Sequence, residues 1–245
     1  MNDSGSRDDQ WTIIFDGDGT LGECSKYYME ADERCLDVLP ADIVTAGTTR
    51  ASIVDHKRVI QQSLMKRYGY YRDVFTDSWV ETYLHLCHSS DRQINERMVT
   101  DIVRNARTVQ DAPYDVFPGT AETLIRLRQV GHRLHLLTRG EHDWQLDKVR
   151  RNGLAGYFLS IHPIQDTKGP QMRLLAMDAK RAMMVGDNPD DDLRPAQALG
   201  LTRVLVHNAD PWVGGGKIVD PDVQVIMSVI ELPALIAKLN AQPSR

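Results

Sequence analysis

Short, almost continuously apolar runs recur along the chain, each ending in a polar residue or a turn. They are WTIIFD (11–16), RLHLLTRG (133–140), RAMMVGDN (181–188), TRVLVHN (202–208) and VQVIMS (223–228). Each is too short for a typical helix and shows no polar face, which predicts strands buried on both sides, as in a parallel sheet. GYFLSIHPI (156–164) adds a further strand. Helical patterns separate them. PGTAETLIRLRQVG starts near Pro118 and Thr120, carries Leu124, Ile125 and Leu127 inside, and stops at Gly131. EHDWQLDKVRRNGL and PDDDLRPAQALGL read the same way, each closing near a glycine. Strand alternating with helix is the pattern of a doubly wound α/β core.

The stretch 22–112 breaks that alternation. IVDHKRVIQQSLMKRYGYY, DSWVETYLHLCHS and INERMVTDIVRNAR carry helical spacing, and no strand pattern interrupts them. The expected organisation is a core built from 1–21 and 113–245, with 22–112 as an inserted helical domain. Pro113, Pro118 and Gly119 mark the return to the core. VGGGK (213–217) is a loop and not a phosphate cradle, because it lacks both the GxxxxGK[ST] spacing and the strand-to-helix context.

Composition changes this picture little. The chain is 42% hydrophobic and 26% charged with a formal charge of -5, ordinary for a globular protein and unsuited to general phosphate-backbone binding, so no nucleic-acid partner is expected. Cys24, Cys35 and Cys87 are scattered and odd in number, which argues against a disulfide framework or a structural zinc site and points to a reducing cytoplasm. MNDSGSRDDQ is polar and does not read as a signal peptide, and no apolar run approaches the length of a membrane span. Oligomeric state is not readable.

Chemistry gathers where the strands end. In open α/β sheets, sites form beyond the carboxyl ends of the strands. The first strand delivers Asp16 and Asp18 between glycines, LHLLT delivers Thr138, and MMVGD delivers Asp187, followed by Asp190, Asp191 and Asp192. IQDTKGP places Lys168 just ahead of a helix. Carboxylates clustered in this way repel unless a hard divalent cation such as Mg2+ joins them, and phosphate is the natural further ligand. Thr138, Lys168 and the loop amides of 17–20 are candidate donors to its oxygens. A carboxylate facing a bound phosphate can attack phosphorus, and a second carboxyl two residues on can act as acid and then base.

DGDGTL (Asp16–Leu21), LHLLT ending at Thr138, Lys168 ahead of its helix and GDNPDDD from Gly186 stand in the order of the four motifs of the haloacid dehalogenase superfamily, which the chain resembles from residue 12 to about 208. The resemblance implies a Rossmann-like core with the insert as an all-helical C1 cap that closes over the catalytic face. It implies Asp16 as nucleophile and Asp18 as general acid/base, with its carbonyl on the metal. Thr138 and Lys168 would hold the phosphoryl group, and Asp187 would bind Mg2+. Both Asp191 and Asp192 satisfy the spacing of the supporting acid, and the following DLRPAQALG aligns better with Asp192. Dehalogenase members lack an acid at the Asp18 position, so the expected activity is hydrolysis of a small phosphorylated metabolite through an aspartyl phosphate. The alternatives are a sugar phosphomutase of the same superfamily and a catalytically silent binding protein on the same fold.

Several residues take plainer readings. Lys148 lies inside a helix, where a solvated lysine is the default. His132 and His135 are expected to be structural. His85, Cys87 and His88 lack the further ligands of a zinc site. TAGTTRAS (45–52), with Arg50, reads as a surface loop.

Overall fold

The computed structural model describes residues 9–41, 43, 48–112, 114–207 and 220–241. VGGGK, the amino-terminal eight residues, Pro113 and most of TAGT lie outside them. The chain runs β1 (Thr12–Phe15), β2 (Gly22–Glu23), then α1 (Ser25–Asp37), α2 (Arg50–Tyr68), α3 (Val74–Ser89) and α4 (Glu96–Arg107). It continues with β3 (Asp115–Val116), α5 (Thr120–Gln129), β4 (Arg133–Arg139), α6 (His142–Arg151) and β5 (Ser160–Ile164). The last part holds α7 (Gly169–Ala176), β6 (Ala182–Gly186), α8 (Arg194–Ala198), β7 (Thr202–Val206), β8 (Val223–Ile226) and α9 (Leu232–Asn240). Two compact units result: residues 1–24 with 114–245, and residues 25–113.

In the first unit, six parallel strands form a sheet in the order β5-β4-β1-β6-β7-β8. The chain leaves β1 toward one edge through β4 and β5, then crosses to β1's other side through β6, β7 and β8. That reversal is the topological switch point at which open α/β sheets place their ligands. Ile13, Phe15, Leu134, Leu136, Met183 and Val185 point to one face, where Leu124, Leu127, Val149 and Ile236 from α5, α6 and α9 cover them. Ile14, Leu137 and Met184 point to the other and meet Met172 of α7 and Ala196 of α8. Coverage on both faces is why the central strands β1, β4 and β6 read as almost continuously apolar.

Two pieces have no counterpart in the hydrophobic pattern. β2 and β3 pair antiparallel, Gly22 with Val116 and Glu23 with Asp115, across the whole insert. Strands of two residues carry no periodicity. The stretch expected to be a helix from Pro189 onward begins as a π-helical turn, Pro189–Leu193, before α8.

The second unit is helical among its described residues and has its own core, with Trp79, Tyr83, Phe75, Ile53 and Ile102 buried. α2 starts with reciprocal bonds: the Thr49 amide donates to Ser52 Oγ at 2.9 Å and the Ser52 amide to Thr49 Oγ1 at 3.1 Å. At the heart of the unit, Lys57 is 3.0 Å from Asp32 Oδ1, and Trp79 Nε1 donates to the same oxygen at 2.8 Å. The Lys57 ammonium stands 4.3 Å from the Phe75 ring centre. Pairing and ring contact are what make a buried lysine tolerable. At the start of α4, Asn95 Oδ1 accepts from the amides of Arg97 at 3.0 Å and Met98 at 3.4 Å. Asn95→Ala removes that cap and is expected to destabilise the protein by about 1 kcal/mol, read as a lower urea midpoint with unchanged slope.

Candidate active site

Every candidate residue of the first unit lies at the carboxyl end of a strand or on the segment that follows it. Asp16 follows β1 and stays tied to the sheet, its amide donating to Val185 O of β6 at 2.9 Å. Parallel pairing of Phe15 with Leu136 puts Thr138 level with Gly17. A Cβ added at Gly17 would lie 3.5 Å from Thr138 Oγ1, so the hydroxyl faces the start of the loop. Asp187 immediately follows β6, and Asp192 sits in the π-helical turn.

The loop after Asp16 folds on itself. The amides of Thr20 and Leu21 donate to Gly17 O at 3.2 and 2.8 Å, and the Gly19 amide donates to Gly22 O at 2.9 Å. The amides of Gly19 and Thr20, expected as phosphate donors, are therefore committed within the loop. The turn brings the backbone against the acids. Gly19 adopts φ +77°, and a Cβ there would fall 2.1 Å from Asp187 Oδ2. Only glycine meets both demands.

Asp16, Asp187 and Asp192 each offer an oxygen to one small volume, the three oxygens lying within 4.8 Å of one another. Lys168, only 2% exposed, bridges two of them, with its Nζ 2.5 Å from Asp16 Oδ1 and 2.6 Å from Asp192 Oδ1. Asp192 is fully buried and also accepts the Asn188 amide at 3.0 Å. Its packing needs Gly186, where a Cβ would sit 2.2 Å from Asp192 Oδ2. Asp191 points elsewhere, 3.1 Å from Arg139. Of the two acids that the spacing left open, only Asp192 belongs to the cluster.

Electrostatics mark the cluster as under-compensated. Burial pushes the Asp16 carboxyl up to about 7, opposed by Lys168 and reinforced by Asp192 and Asp18. Burial, then Asp16 and Asp192, push Asp187 up to about 8. Burial alone would lower Lys168, but Asp16 and Asp192 outweigh it and hold it above the usual lysine value. Three carboxylates around one ammonium leave an excess of negative charge, and their all-oxygen donor set fits a hard divalent cation.

Asp18 stands apart from the cluster with its side chain 36% exposed, and Lys148 donates to its Oδ1. Lys148 is not a solvated helix lysine: its side chain is 13% exposed and lies 4.8 Å from the Tyr114 ring centre. Tyr114 in turn donates its hydroxyl to Gly17 O at 2.6 Å. Neither residue carries a spacing signal, because the partners are 130 and 97 positions away. His132 and His135 hold structural bonds. His132 Nδ1 accepts the Trp11 amide at 3.2 Å, and His135 Nδ1 is 2.7 Å from Ser160 Oγ.

A sheet switch point carrying clustered acids and a buried lysine is the frame of a hydrolase site, and the sequence places it in one lineage. The family model for haloacid dehalogenase-like hydrolases matches residues 12–200, and the chain belongs to that family. It is 26% identical to a glyceraldehyde 3-phosphate phosphatase of Pyrococcus abyssi, over 78% of this chain and 79% of that one. It is 24% identical to a plasmid-borne phosphoglycolate phosphatase of Cupriavidus necator, over 95% of both chains. A haloacid dehalogenase-like family hydrolase from Xanthomonas campestris shares the fold, with a TM-score of 0.77 and 22% identity over 95% of this chain and 92% of that one.

Proposed function

We propose that the protein is a Mg2+-dependent phosphatase that hydrolyses the phosphate monoester of a small metabolite. Asp18 carries the reading. A carboxyl two residues beyond the strand-end acid, outside the acid cluster and held by Lys148, is the group an ester needs for proton transfer and a halide does not. The relatives named as phosphatases support the same choice.

Asp16, Asp187 and the Asp18 carbonyl would hold the metal, with Asp192 in support; when bound, Mg2+ supplies charge neutralisation for the phosphoryl oxygens. The chain's own residues do the rest. Lys168 and the Thr138 hydroxyl donate to the phosphoryl group. An Asp16 oxygen attacks phosphorus, the bond to the ester oxygen breaks, and Asp18 delivers a proton to the departing alcohol. Water then attacks the aspartyl phosphate, Asp18 takes its proton, and inorganic phosphate and free Asp16 result. We assign the helical unit 25–113 the part of the family's C1 cap, which selects the substrate.

A panel of phosphoglycolate, glyceraldehyde 3-phosphate, phosphoserine, sugar phosphates, nucleotides and a 2-haloacid tests this reading. Mg2+-dependent phosphate release from at least one small phosphorylated metabolite, abolished by a chelator, is expected, with no halide release. Release of no phosphate from any member would remove the reading.

A further inference from the structure

Lys148 is the one ammonium that touches Asp18 among the described residues, and nothing in the motifs assigns it. Lys168 cannot substitute for it, being bonded to Asp16 and Asp192. We propose that Lys148 is a positioning residue for the second half of the reaction: it fixes the Asp18 carboxylate to take the proton of the water that releases phosphate from Asp16. The proposal rests on the phosphatase reading and adds a residue to it.

Three features carry the assignment. Asp18 has more freedom than the clustered acids, with its side chain 36% exposed against 11% for Asp16. An unpaired carboxylate on such a loop samples several rotamers, and a single ammonium contact selects one. Lys148 is itself held, its charge 4.8 Å from the centre of the Tyr114 ring, and the Tyr114 hydroxyl anchors the loop at Gly17 O. Loop and acid are thus held through one linked pair, Tyr114 and Lys148. The ammonium occupies Oδ1 of Asp18, and the carboxylate offers its second oxygen as a proton acceptor. That geometry suits the carboxylate form in which Asp18 acts as the base of this step. In the step, the water oxygen bonds to phosphorus, the phosphorus–oxygen bond to Asp16 breaks with its electron pair kept by Asp16, and the water proton passes to Asp18.

p-Nitrophenyl phosphate isolates this step, because its stabilised phenolate leaves without a proton and formation of the phosphoenzyme needs no acid. With such a substrate and Mg2+, Lys148→Met is expected to lower kcat by about ten- to a hundredfold. KM should fall in step, leaving kcat/KM within about twofold of wild type. A burst of close to one equivalent of nitrophenol per enzyme should precede the slow steady state. Lys148→Arg, which keeps a donor, should recover most of kcat. Equal losses in kcat and kcat/KM without a burst would overturn the proposal, as would unchanged kcat in Lys148→Met. A wild-type protein that hydrolyses no phosphate ester removes the underlying reading and this proposal with it; an active wild type with an unsplit Lys148→Met removes the proposal alone.

Discussion

Asp16→Asn is expected to cut phosphate release by about 10⁴-fold or more, the loss that follows removal of a covalent nucleophile. The amide keeps the shape of the carboxylate and loses the charged oxygen that the proposed mechanism sends to phosphorus. Misfolding does not offer a second explanation, because the electrostatics run the other way. Asp16 is buried beside two further carboxylates, and burial and Asp192 already push its carboxyl up to about 7. Replacing it with a neutral isostere relieves the repulsion felt by Asp187 and leaves Lys168 bonded to Asp192. The variant should therefore unfold at the same or a higher urea concentration than wild type in metal-free buffer at neutral pH. Steady-state phosphate release and a denaturation curve on one preparation check both halves. Residual turnover above about 1% of wild type would contradict a covalent role for Asp16.

The same burial that makes Asp16 informative made much of the fold readable. Strands covered on both faces cannot alternate in polarity, so β1, β4 and β6 stand out as apolar runs, and Asp16, Thr138 and Asp187 stand at the ends of these runs. The repulsion between Asp16 and its neighbours could be read in the same way, since like charges do not gather by chance at several strand ends. What stayed hidden depends on partners rather than patterns. β2 and β3 are two residues each and exist through pairing across an insert. α1, with the sequence SKYYMEADERCLD, buries only Ala31, Asp32, Cys35 and Leu36, a thin stripe within a charged segment. Lys148 looks like any helix lysine until the fold brings Asp18 and the Tyr114 ring to it. The choice between Asp191 and Asp192 turned on a π-helical turn, which sends Asp192 inward and Asp191 to Arg139. A loop that bonds its own amides is equally invisible in DGDGT, although the glycines announce that its backbone is unusual.

The metal-free protein should lose stability as pH rises from about 5.5 to about 8, and Mg2+ should reverse that loss. Asp16 and Asp187 are held at about 7 and about 8, against the ordinary value of 3.8 that an unfolded chain shows. A carboxyl whose value is raised on folding keeps its proton in the native state after the unfolded chain has given it up. Its stabilising effect is therefore complete below about pH 4 and disappears as pH climbs through the native value. Each tenfold difference in proton affinity between the native and unfolded chain is worth about 1.4 kcal/mol. For two such groups the change amounts to several kcal/mol at most, reduced by their mutual coupling. Lys168, held above the usual lysine value, stays charged throughout this window and contributes no slope. A divalent cation competes with the same protons, so its binding is weak at the acid end and strengthens toward pH 8. Free Mg2+ at a hundredfold excess over its Kd adds about 2.7 kcal/mol. The urea midpoint should accordingly fall with pH in chelator, stay nearly level in saturating Mg2+, and separate most at the alkaline end. Asp187→Asn removes one of the raised carboxyls and one oxygen of the proposed cation site together. It should flatten the metal-free pH profile and abolish most of the gain from Mg2+. A metal-free midpoint that rises over this range in wild type, or an Asp187→Asn variant that keeps the full Mg2+ gain, would mean that these carboxylates do not form the cation site.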